Sequence, residues 1–259
     1  MPRFGGWAWA CGLAALLASG ADGKLAAADI KILTTGAFKP VVEALVPPFQ
    51  AATGHVVHIQ NDTAGALARR VEAGEPFDVL VLTPGGLAEL AKKGRLPDAR
   101  PTELAKVGIG VAVKAGAPKP DISTVEAFKA AIVDARKIAM IDPHAGGSSG
   151  IYLKGLFERW GIWDQVKAKA ILVPGGLVAT RVVSGEADLA IHQVSEILAV
   201  KDAVLVGTLP REIQNYTVYA GAVGPASSAA DGANAFLKTL AGPEAAKVLD
   251  EKGMMPAGS

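Results

Sequence analysis

The chain has 259 residues, half of them apolar, with 26 basic and 25 acidic side chains. That is enough apolar material for a large core, in one domain or in two lobes. A net charge of +1, with no basic tract to release counterions from phosphates, argues against nucleic acid as a partner. Aromatic residues make up 5 % of the chain, too few for a sugar platform of stacked rings.

Residues 1–28 read as an export signal that is cleaved, which predicts a periplasmic protein. Arg3 is the positive start, residues 7–18 are the apolar segment, and Ala26-Ala27-Ala28 offers a small-residue cleavage site before Asp29. A second possible cut lies near Gly20. The apolar run is too short to span a membrane comfortably. Cys11, the only cysteine, sits ahead of most of that run, the wrong place for an acylated anchor. Beyond residue 28 the sequence therefore holds no disulfide, thiol nucleophile or thiolate metal site. Removing Arg3, Lys24 and Asp22 leaves 24 charges of each sign.

In chain order, residues 29–33 (DIKIL) predict a strand, 34–37 a loop of small residues, and Val42, Leu45, Val46 and Phe49 one face of a helix. Pro47-Pro48 should kink or shorten that helix, and Thr53-Gly54 should end it. The same grammar repeats. Strand 56–60 leads to the polar loop 61–65 and a helix at about 66–73; strand 78–82 leads to 83–86 and a helix closing at Lys93-Gly94. Residues 107–113 predict a further strand, and Ser123 with Glu126 a capping box for the next helix. Later strands are expected at 168–173, 188–192 and 218–223, with helices at 177–183, from Gln193, at 231–240 and at 244–251. Strand, polar loop and helix in repeated order predict doubly wound α/β sheets, whose ligands bind beyond the strand C-termini.

The most informative stretch is 141–160, IDPHAGGSSGIYLKGLFERW. A short strand ends at Asp142-Pro143. Five glycines and serines follow, then a helical face of Leu153, Leu156, Phe157 and Trp160. The loop places hydroxyls and unpaired N–H groups at a helix N-terminus, where an anion is the natural guest. Ser148 or Ser149 could instead serve only as an N-cap.

Read together, several segments resemble the substrate-binding proteins of ABC importers, in particular the molybdate-binding family with the type II periplasmic binding protein fold. They are IKILTTGAFKPVVEALVPPFQAATG (30–54), ALARRVEAGEPFDVLVL (66–82), IDPHAGGSSGIYLKGLFERWGI (141–162), VVSGEADLAIHQVSEI (182–197) and FLKTLAGPEAAKVLDEKG (236–253). The resemblance implies two α/β lobes joined by two crossing strands. Lobe I would be 29–112 plus 218–259, lobe II 113–217, and the crossing strands 107–113 and 218–223. It also implies a ligand in the cleft held by neutral donors, and a membrane permease as partner.

Carried over residue by residue, the first ligand serine of that family falls at Ala37, beside Thr34, Thr35 and Gly36. The second falls at Thr63 or Ala64, and the helix-terminus backbone donor at Ser149, between Ser148 and Gly150. A further backbone donor falls at Gly175 or Gly176, and the family's tyrosine at Gln193. Ala37 and Gln193 thus lose two hydroxyls, and Asp62 adds a carboxylate to the second loop. These departures widen the expected ligand from molybdate to a small anion, oxyanion or organic acid.

Two other classes compete. Gly146–Gly150 matches the G-x-S-x-G nucleophile elbow, but about six residues separate Ile141 from Ser148, and the only downstream acid–histidine pair is Asp188 with His192 in one strand. An exported sensor or adhesin could use the same fold without transport. His55, His58 and His144 show no metal spacing. Arg69, Arg70 and Arg181 read as exposed helix charges; one turned inward would favour an organic acid. His192 reads as a core histidine. The expectation is a monomeric solute-binding protein that takes no cofactor and no metal and has no catalytic residue.

Overall fold

The computed structural model describes residues 1–2, 27–97 and 101–258. Most of the expected export signal, with Cys11, lies outside these residues.

The first half of the sheet builds as the sequence pattern dictates. Strand β1 (Asp29–Thr35) pairs in parallel with β2 (Val56–Asp62) on one side and β3 (Val79–Leu82) on the other. Helix α1 (Lys39–Thr53) connects the first two. It does not stop at Pro47-Pro48, which lie within it and are exposed. Its buried face of Val41, Val42, Leu45, Val46 and Phe49 carries the helix past two missing N–H donors. Gly54, at φ +77°, closes it in the left-handed conformation. Helix α2 (Ala64–Glu72) follows β2 and α3 (Pro84–Lys92) follows β3; Thr63 and Thr83 accept from the third residue on as N-caps.

Strand β4 (Thr102–Lys114) is longer than its apolar core 107–113 predicts, and it joins the two halves of the sheet. Thr102–Gly108 pairs antiparallel with β9 (Tyr216–Val223), while Ile109 onward pairs with β7 (Leu189–Gln193) and β8 (Ala203–Thr208). β9 also pairs with β3, and β10 (Met255–Pro256) with β4. β8 is an addition to the predicted elements.

The second half adds β5 (Ile138–Ile141) and β6 (Ala170–Val173), giving the order β2-β1-β3-β9-β4-β7-β5-β6 in one curled sheet. Its helices are α4 (Val125–Asp134), α5 (Ser148–Arg159), α6 (Trp163–Lys169), α7 (Thr180–Val183) and α8 (Val194–Leu198). Thr124, one residue after the expected cap, is the N-cap of α4 and accepts from Ala127 N–H. Helices α9 (Ala230–Ala241) and α10 (Pro243–Glu251) return to the first half and pack on α1.

Each half has its own apolar core. Phe38, Phe49 and Phe236 lie in a core shared by β1, α1 and α9, and Phe49 and Phe236 meet tilted, with ring centroids 4.8 Å apart. Phe128, Phe157 and Leu153 centre another between β5, α4 and α5. The polar ends of β1, β2, β5 and β7 face one cleft between them.

Candidate functional site

At that cleft lies a cavity of about 40 Å³. One water needs roughly 10–15 Å³ on the same scale, so a few water-sized groups fit between its walls, and the cavity is partly open to solvent. Thr35, Gly36 and Ala37 line it from the end of β1; Asn61, Asp62, Thr63 and Ala64 from the turn between β2 and α2. Ile141, Gly147, Ser148 and Ser149 enter from the β5–α5 loop, Gly176 from the loop after β6, His192, Gln193 and Glu196 from the β7–α8 junction, and Tyr219 from β9.

Nine of the twelve expected site residues therefore meet here, from five separate chain segments. Thr34, Gly150 and Gly175 do not line the cavity. Thr34 is fully buried, and its hydroxyl donates to Thr35 O. Gly150 packs α5 on β5: a Cβ there would lie 2.4 Å from Ile141 O, so the glycine answers to that close approach. Gly175 is half-buried, and a Cβ there would meet nothing within 4 Å.

The α5 terminus keeps its donors free. Its N-cap is Gly147, so neither Ser148 nor Ser149 caps the helix with its side chain. The first intrahelical bond runs from Ile151 N–H to Gly147 O at 3.1 Å. That leaves the N–H groups of Ser148, Ser149 and Gly150 without intrahelical acceptors at the positive end of the helix. Ser149 is itself buried.

The second loop has a different task from the expected one. The Thr63 hydroxyl already accepts from Ala66 N–H at 3.2 Å and donates to Ala145 O at 2.5 Å, 82 positions away across the cleft. Beside it, Gly65 N–H donates to Gly146 O at 3.0 Å. Asp62 accepts from Thr63 N–H at 2.8 Å and lies 3.8 Å from Arg70, so its charge is offset outside the cavity. Arg70 is bound by Glu75 and Gln60, and Arg181 by Glu186. Among the described residues that line the cavity there is no lysine or arginine.

Three lining residues hold buried polar atoms without partners: Thr35 Oγ1, Gln193 Oε1 and His192 Nδ1. Gln193 donates through Nε2 to Thr217 Oγ1 at 2.8 Å. Exchanging the amide's oxygen and nitrogen would let the Thr217 hydroxyl donate instead and free Nε2 as a donor. Tyr219 brings a phenol from β9, beside Thr35 and Thr217; burial first, then Glu196, pushes it above the usual tyrosine range.

Sequence reasoning missed Tyr219, which it read only as part of a strand, and Glu196. Glu196 is 7 % exposed, and its Oε2 lies 3.3 Å from Nε2 of His192. Burial pushes the Glu196 carboxyl up to about 8 and the His192 imidazole down to about 3. The signal was a glutamate four residues after a histidine at a strand–helix junction, which a helix read as solvent-exposed conceals. The triad alternative loses its acid: Asp188, at the far end of β7, binds Arg136 and the N–H groups of Arg136 and Lys137. Among the described residues no group of three or more histidine, cysteine, aspartate or glutamate side chains could hold a metal.

The sequence matches the family model of the bacterial extracellular solute-binding proteins over residues 30–255. The chain belongs to that family. An aconitate isomerase from Pseudomonas sp is 33 % identical over 233 residues, covering 88 % of this chain and 87 % of the relative. The molybdate-binding protein of Escherichia coli K12 is 27 % identical over 229 residues, 86 % of this chain and 88 % of that one. The periplasmic molybdate-binding protein of Azotobacter vinelandii superposes with a TM-score of 0.71 at 20 % identity, covering 87 % of this chain and 98 % of the other. The last likeness is one of fold, and it is the periplasmic binding protein fold that the sequence segments anticipate.

Proposed function

We propose that this protein captures a small anion between two lobes, 29–112 with 218–259 and 113–217, and presents the closed form to an ABC importer's permease. The observation that carries the reading is the donor set of the cavity. The N–H groups at the α5 terminus, the Thr35, Ser148, Ser149 and Tyr219 hydroxyls and the Gln193 amide converge there without a lysine or arginine. Neutral dipoles at a helix terminus solvate an oxyanion or small carboxylate in this way. The lobes would close around β4 and the β8–β9 connection, with Thr63 on Ala145 and Gly65 on Gly146 as the closing contacts. The neutral donor set suits a tetrahedral oxyanion such as molybdate, tungstate or sulfate. An export signal within residues 1–28, a periplasmic location and a monomeric state belong to the same proposal.

A thermal-shift screen with molybdate, tungstate, sulfate, phosphate and small carboxylates tests it. A ligand that binds only the folded state raises the melting temperature by mass action. A shift with one or more of these anions supports the reading; no shift with any of them overturns it.

A second reading rests on Glu196 and His192 in the same cavity, taken with the isomerase relative. In it the protein interconverts the double-bond isomers of an unsaturated carboxylic acid such as aconitate. With the pair's proton on His192 Nε2, the Glu196 carboxylate would take a proton from the carbon next to the double bond and the resulting acid would return it to the far end of the allylic system, with no redox partner. Incubation of the purified protein with one isomer, followed by NMR, tests this; accumulation of the other isomer that is lost in Glu196→Gln supports it, and an unchanged spectrum at stoichiometric protein rejects it.

A further inference from the structure

We propose that the buried Glu196–His192 pair is a proton-gated wall of the ligand cavity: the site accepts its anion only while the pair holds a proton. The inference rests on the anion-binding reading above and adds a specificity-determining role for Glu196.

The geometry carries it. The cavity has two carboxylates in its lining and no cation among the described residues to balance them. Asp62 is turned to Thr63 N–H and Arg70. Glu196 has no such outlet. One oxygen faces His192 Nε2 at 3.3 Å, and the other reaches across the cleft so closely that a Cβ on Gly36 would lie 2.5 Å from it. His192 from β7 and Tyr219 from β9 stand beside it, and Asp62 from β2 lines the same cavity; β4 and β8, which also pack on α8, bring no titratable residue to the lining.

With one proton the pair is neutral, whether that proton sits on the carboxyl or on the imidazole, and it titrates as a unit. Without it, a bare carboxylate faces the bound anion in a desolvated site, where like charges repel strongly. Burial of both groups favours the neutral carboxyl and neutral imidazole at pH 7. The unpartnered His192 Nδ1 then is free to donate to a ligand.

The test is calorimetric titration of sulfate and molybdate, which carry no titratable proton above pH 6.5, into wild type, Glu196→Gln and His192→Gln between pH 6.5 and 9.5. Wild-type affinity is expected to fall towards tenfold per pH unit at the alkaline end, and Glu196→Gln to stay flat. His192→Gln keeps a pH-dependent affinity, because the carboxyl remains. Titrating wild type at pH 9 in two buffers of different ionisation enthalpy is expected to show about one proton taken up per anion, and needs no variant to fold. Parallel pH profiles in wild type and Glu196→Gln, or no proton uptake, overturn the gate while leaving anion binding intact. No binding of either anion at any pH, together with no thermal shift across the anion panel, removes the anion reading and this inference with it.

Discussion

Gly65 N–H donates to the Gly146 carbonyl at 3.0 Å, and the two backbones touch: a Cβ on Gly65 would lie 2.8 Å from Gly146 Cα. Gly146 in turn is held at φ +82°, where a side chain is strained. The polar lips of the cleft meet through two glycines because nothing larger fits between them. Gly65→Ala is therefore expected to weaken anion binding at least tenfold while leaving the melting temperature of the unliganded protein within about 2 °C, since alanine suits the first turn of α2 at least as well as glycine. Titration calorimetry and thermal melts check the two halves. Unchanged affinity would show that these glycines do not close the site.

The backbone donors of α5 make a second prediction. Ser149→Pro removes one N–H from the first helical turn, where proline is otherwise tolerated. Ser149→Ala removes only the buried hydroxyl. The proline variant is expected to lose tenfold or more in affinity and the alanine variant clearly less. Equal losses would mean that the hydroxyl, not the N–H, holds the ligand.

Gly36 tests the placement of Glu196. A methyl there would sit 2.5 Å from the present Glu196 Oε1, so the carboxyl must swing away. Gly36→Ala is expected to weaken anion binding severalfold, with the loss much reduced in the Gly36→Ala, Glu196→Ala double variant. Additive losses in the double-mutant cycle would show that the two positions act independently.

Stability should record the same pair. The Glu196 carboxyl is raised from 4.5 to about 8, so the folded state binds more protons than the unfolded state between those values, and stability falls as pH rises from 4.5 to 8. His192 is lowered from 6.5 to about 3; its contribution runs the other way, with stability gained as pH rises from 3 to 6.5. Relative to wild type, Glu196→Gln is thus expected to be more stable at pH 8.5 than at pH 5, and melts at the two pH values read the difference. An equal offset at both would contradict a carboxyl that is neutral in the folded protein.

Much of this was legible in the chain. The alternation of strand, polar loop and helix marked the parallel strands, and the glycine–serine stretch marked the α5 terminus, because local chemistry decides both. Thr63 shows where local reading stopped: it is a polar loop residue as expected, yet its hydroxyl bridges to Ala145, a partner 82 residues away that only the folded chain supplies. Pro47-Pro48 show packing overriding a local breaker. Glu196 was illegible for a physical reason. Exposure is the default for a glutamate in a short helix, and only the fold places α8 with Glu196 inside the cleft against Gly36 and His192.

Whether neutral donors in this cleft bind a small anion is read most directly by titration at pH 7. Purified protein is titrated in turn with molybdate, sulfate, a short carboxylate, and, as controls, a neutral sugar and an organic cation. Saturable binding of an anion at one per chain, weakened tenfold or more in Ser149→Pro and absent with both controls, is the expected result. Binding of the sugar or the cation with no heat from any anion would contradict it.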